Sequence, residues 1–103
     1  MSELMKLAGD DLKNAIQEGL SLVVFGASWC APCKQMEPIL ENLASKIGDQ
    51  AKIIKADAEE NMDIARELNV SAVPLSIIFR DGQEIKRIMG LQKEEDLARE
   101  LFT

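Results

Sequence analysis

Residues 20–25, LSLVVF, are a nearly unbroken apolar run rich in β-branched side chains. A strand with one face in water alternates apolar and polar positions, so a run like this belongs to a strand covered on both sides, at the centre of a sheet. That single stretch demands layers above and below it. The chain supplies them. From Lys34 onward, Met36, Ile39, Leu40, Leu43, Ala44 and Ile47 keep helical spacing until Gly48, which predicts a long helix with a glycine stop. Pro38 lacks an N–H and crowds the preceding turn, so a bend is expected near the start of this helix. Upstream, Asp10 is placed to cap a helix with Leu12, Ala15, Ile16 and Gly19 on one face, and residues 3–7, ELMKL, suit an edge strand.

Residues 51–56, AKIIKA, read as a further strand, and 61–68 as a short helix with Ile64, Ala65 and Leu68 inward. The segments LSIIF and EIKRIM flank Arg80-Asp81-Gly82-Gln83, where Asp-Gly favours the positive φ angles of a tight hairpin, so these two strands are antiparallel. A last helix is expected over 93–102, with Glu94 and Glu95 at its positive end and Leu97, Ala98 and Leu101 buried. The order β-α-β-α-β-α-β-β-α predicts an α/β fold in which a central mixed β-sheet is flanked by helices on both faces. No repeat, low-complexity tract or linker interrupts it, so residues 1–103 are expected to form a single domain, large enough to bury a core without metals or disulfides.

Charge and composition narrow the function. The net charge of −6 opposes the electrostatics of nucleic-acid binding, and no apolar run approaches the roughly 20 residues that cross a bilayer. Neither nucleic acid nor membrane is an expected partner. The N-terminus, acidic by Glu3, does not read as a signal peptide, so a cytoplasmic, reducing compartment is expected. With no histidine, Ser-His and Cys-His nucleophile pairs and the commonest metal ligand are gone. Thiol chemistry is left.

The only two cysteines, Cys30 and Cys33, sit in SWCAPCK, between the central strand and the long helix. Helix positions three apart share a face with Cβ atoms roughly 5–6 Å apart, so the sulfurs can bridge or part with little backbone movement. A helix start offers unpaired N–H groups and partial positive charge, which favour thiolate, and Pro32 arrives with helical φ and stiffens the turn. Trp29 offers an aromatic surface to shield the pair. Three readings compete. A catalytic dithiol fits the strand-to-helix position. An inert staple gains little, since closing so short a loop is worth only roughly 2 kcal/mol. A metal or iron-sulfur site needs two further ligands, which only a second subunit or a small thiol would bring.

WCAPCK preceded by LVVF and followed by PIL, with AVP and then IFRDG downstream, closely resembles the thioredoxin family, whose motif is W-C-G-P-C-K, and the likeness spans residues 12–101. The resemblance implies a thioredoxin-like fold and a thiol-disulfide oxidoreductase that reduces protein disulfides. It implies that Cys30 is the exposed attacking sulfur and Cys33 the more buried resolving one, with Pro32 and Lys55 in support. It makes Val73-Pro74 similar to the family's cis-proline pair, so that the backbone of Val73, with Trp29, Met89, Gly90 and Leu91, would line a substrate groove. Each of these also has a bland reading, with Met89 as strand core, Gly90 as a turn and Pro74 as a strand start. The likeness further implies a monomer with no resident cofactor, recharged by a thioredoxin reductase. A redox-inactive docking module of a larger complex is the alternative.

Three positions depart from the family pattern. Val24 stands where an aspartate is usual, six residues before the first cysteine; Ala31 replaces the motif glycine; Gly26 replaces a common tryptophan. The aspartate is the group usually held to relay a proton with the resolving cysteine. Lys55, its usual neighbour, is expected either to reach solvent or to lie near enough to favour a thiolate.

Overall fold

The structure is a computed structural model that describes residues 3–103. Five strands, β1 (Met5–Lys6), β2 (Leu20–Gly26), β3 (Lys52–Asp57), β4 (Leu75–Arg80) and β5 (Gln83–Met89), pair in the order β1-β3-β2-β4-β5. The LSLVVF segment is central, as its composition demands. β2 runs parallel to β3 and antiparallel to β4, while β1 and β5 form the borders, so the sheet is mixed.

Successive side chains of β2 point to opposite faces, and each face has its own helices. Leu22 and Val24 pack with Met36, Leu40, Leu43 and Ile47 of α2 (Ala31–Ile47) and with Leu97 and Leu101 of α4 (Glu94–Leu101). Val23 and Phe25 pack with Leu12 of α1 (Gly9–Ile16) and with Ile64 and Ala65 of α3 (Met62–Glu67). Each of the larger side chains in these two layers contributes about 1.5–3 kcal/mol by leaving water.

Local details differ from the sequence expectation for physical reasons. Asp10 is not the cap of α1 but lies in its first turn; Ala8 is the N-cap residue, with no capping side chain of its own. The Gly9 N–H donates instead to Asn61 Oδ1 at 2.8 Å, a partner 52 residues away. Gly19 falls beyond the helix, at φ 73°, and ties to the hairpin: its N–H donates to Asp81 Oδ1 (2.8 Å) and its carbonyl accepts from the Asp81 N–H (2.9 Å). Asp81 and Gly82 have φ of 50° and 86°, the tight turn their sequence predicts. Gly48 ends α2 as expected, its N–H returning to the Ala44 carbonyl. At its other end α2 reaches back to Ala31, since Pro32 fits the first turn without losing a bond, and the helix continues through Pro38.

Candidate active site

β2 ends at Gly26, and a single turn closed by the Cys30 N–H on the Ala27 carbonyl (3.2 Å) delivers the chain to α2. Cys30 is the N-cap residue of that helix. Its extended backbone turns the side chain back over the first turn, where Sγ accepts from the Cys33 N–H at 3.2 Å. A sulfur therefore does what a serine or aspartate oxygen does at other helix starts. Cys30 and Cys33 are joined in a disulfide, with Cα atoms 5.3 Å apart.

The expected contrast between an exposed Cys30 and a buried Cys33 is absent: the two are 4% and 5% exposed. Bridging turns the Cys30 sulfur onto its partner, and the pair packs with Ala27 and Val73. Direction separates them instead. Cys33 lies over the end of β2, where a Cβ on Gly26 would stand 3.2 Å from Cys33 Cβ and 3.3 Å from Sγ, so glycine is what lets the sulfur settle there. Cys30 adjoins Trp29, whose side chain is not a shield: the residue is 73% exposed and stands out as an open contact surface.

Val73 meets the cysteine pair, and the Val73-Pro74 bond is cis. Pro74 in turn accepts from the Gly90 N–H at 2.8 Å, which fixes Gly90, at φ 91°, beside the proline, with Met89 and Leu91 exposed on either side. Trp29, Cys30, Cys33, Val73, Pro74 and Gly90 thus form a connected set, by chain adjacency, packing or hydrogen bond. Met89 is exposed and not strand core. An open recess of about 540 Å³ lies at the far end of the sheet, by Leu20, Asp49 and Lys52, away from both sulfurs.

A second cavity, of about 390 Å³, touches Cys33 and is walled by Gly26, Lys34, Glu37, Lys55 and Asp57. Lys55 is neither solvated alone nor unpaired. Its Nζ donates to Glu37 Oε2 at 2.8 Å, and Lys6 Nζ of β1 reaches Glu37 Oε1 at 2.8 Å. Hydrogen bonds from Lys55 and then Lys6 outweigh partial burial and hold the Glu37 carboxyl down at about 2. The sequence reading missed Glu37, although a signal was there: it follows Cys33 by four residues on one helix, hence on the same face. Val24 lies between Lys55 and Ser76 in neighbouring strands, and among the described residues the buried Ser76 hydroxyl has no hydrogen-bond partner.

The thioredoxin family model matches residues 3–102, nearly the whole chain. The chain belongs to the thioredoxin family. It is 38% identical over 95 residues to the thioredoxin of Staphylococcus aureus (strain Mu50 / ATCC 700699), covering 92% of this chain and 91% of that one. Among solved structures, a mutant thioredoxin from Halobacterium salinarum NRC-1 superposes with a TM-score of 0.88 at 32% identity, over 96% of this chain and 88% of that one. A thioredoxin of Nicotiana alata gives 0.85 at 27% identity, over 98% and 91%. The fold is thioredoxin-like, and the activity is that of a thiol-disulfide oxidoreductase, carried by a Cys-x-x-Cys pair at bridging distance. Of the three positions expected to depart from the family pattern, Val24, Ala31 and Gly26, Gly26 borders Cys33.

Proposed function

We propose that the protein reduces disulfides of other proteins, with Cys30 as the attacking sulfur and Cys33 as the resolving one. The observation that carries this assignment is the Cys33 N–H directed at Cys30 Sγ. In the reduced protein the same N–H, at the positive end of a 17-residue helix, stabilises a thiolate on Cys30. That thiolate attacks one sulfur of the substrate disulfide, expelling the other as thiolate and forming a mixed disulfide. Cys33 then loses its proton and attacks Cys30 Sγ, so the Cys30-substrate bond breaks and the Cys30–Cys33 bond forms. Two electrons leave the dithiol and the substrate departs as two thiols.

The exposed Trp29, Met89 and Leu91 and the backbone at Val73 offer an apolar rim and a main-chain edge, which suits an extended polypeptide segment of varied sequence. Pro32 stiffens the turn and Lys55 supports Cys33. Residues 1–103 act as one domain and as a monomer, in the cytoplasm, recharged by a thioredoxin reductase. No helix among the described residues is long and apolar enough to cross a membrane.

The test is insulin reduction with dithiothreitol or with a thioredoxin reductase and NADPH. Cys30→Ser is expected to abolish turnover, and Cys33→Ser to accumulate a mixed disulfide with the substrate. Full activity in Cys30→Ser overturns the assignment, and undiminished partner binding by the double serine protein would favour a docking role.

A further inference from the structure

The resolving step needs a proton to leave Cys33, and the side chain found at position 24, valine, offers none of the chemistry for it. The cavity beside Cys33 instead surrounds that sulfur with fixed charges, which set how readily the proton leaves. From α2 it is faced by Lys34 and Glu37, and from β3 by Lys55 and Asp57; the 26–28 segment contributes only Gly26, Ala27 and Ser28. β1 adds Lys6, through Glu37. Glu37 is the one group here that grips two cations at once, and it stands one helical turn beyond Cys33 on the same face.

We propose that Glu37 is a positioning residue for the Cys33 half of the exchange: by binding Lys55 on the cavity wall, with Lys6 as its second partner, it offsets one unit of their positive charge and keeps the Cys33 sulfur protonated until the mixed disulfide has formed. The inference rests on the roles given above to Cys30 and Cys33. Because Glu37 is held ionised far below neutral pH, it acts as a fixed charge and takes up no proton itself. The proton of Cys33 passes to water in the cavity, the Cys33 thiolate attacks Cys30 Sγ, and the substrate sulfur leaves as a thiolate that is protonated by solvent. Without Glu37, the Lys55 ammonium on the cavity wall would lose its paired carboxylate and favour the Cys33 thiolate in the resting dithiol. The pair would then contain two competing nucleophiles.

The experiment follows thiolate absorbance against pH in the Cys30→Ser protein, where Cys33 is the sole thiol. Adding Glu37→Gln is expected to lower the Cys33 titration by about half a unit to one unit, the scale of one screened charge at short range. Glu37→Asp, which keeps the charge, is expected to restore most of the difference. Lys55→Met is expected to move the titration up, and the Glu37→Gln/Lys55→Met pair to return it close to its starting point. An unmoved or raised titration in Glu37→Gln, or an unmoved or lowered one in Lys55→Met, overturns the proposal. The parallel titration of Cys30 in the Cys33→Ser protein separates this failure from the other. If Cys30 proves the less acidic thiol, the attacking and resolving roles are wrong, whatever Glu37 does.

Discussion

Asn61 is buried to 3% exposure and bonds in two directions: Oδ1 accepts from the Gly9 N–H that opens α1, and Nδ2 donates to the Asp57 carbonyl at the end of β3 (2.9 Å). Removing it leaves a helix start without its cap and a part-buried carbonyl without its donor. Asn61→Ala is expected to cost about 1–3 kcal/mol, read as a lower urea midpoint with an unchanged slope. Neither bond was legible in the sequence, because the capping group lies far along the chain and Asp10 offered a nearer, wrong candidate. Val24 gives the opposite case. Its place in the core was plain from the apolar run, and its flanking by Lys55 and Ser76 follows from register alone. Val24→Asp puts a carboxylate into that packed row, at a cost on the order of 3 kcal/mol at neutral pH. It also puts an ionisable group beside Lys55, which lines the cavity at Cys33, so the pH dependence of disulfide reduction is expected to shift. An unchanged pH-rate curve would show that residue 24 has no proton-relay role.

Three elements converge on Glu37: Lys6 belongs to β1, Glu37 to α2 and Lys55 to β3. A two-residue border strand has little backbone pairing of its own, and this carboxylate ties it to the helix above the sheet. The folded-state carboxyl sits at about 2, below its ordinary 4.5. Its contribution is therefore complete above pH 4.5 and disappears as pH falls towards 2. Since Glu37 and its two partners are all partly in solvent, that contribution is about 1 kcal/mol at most. Glu37→Gln is expected to lower the urea midpoint at neutral pH and to match the parent protein near pH 2; a difference that persists in acid would mean packing and not charge. Element types and most boundaries could be read in advance, since helical spacing in α2 and the Asp-Gly turn are local signals. The triple contact could not, because it requires knowing that β1 joins β3 and that α2 crosses above both.

At the scale of the molecule, the layered architecture was legible because one strand, apolar on consecutive positions, needs cover on each side, and two sets of helical apolar residues were available to give it. The sulfur pair was legible because its spacing permits a bridge and its place between strand and helix favours a catalytic dithiol over a staple or a shared metal site. What escaped was the state of the pair: with the bridge closed, Cys30 is as deeply buried as Cys33, and burial in a reversible bond depends on electrons as much as on sequence. Both borders of the sheet carry a further consequence. On one side β1 is two residues long; on the other, β5 carries Glu84, Lys86 and Arg87 and breaks register beside Ile78 and Phe79, so neither offers a flat, apolar margin. Both features discourage a foreign chain from prolonging the sheet. On the proposed function, encounters are left to the sulfur end, where exposed Trp29, Met89 and Leu91 flank the pair and the mixed disulfide that holds a client is itself broken by Cys33.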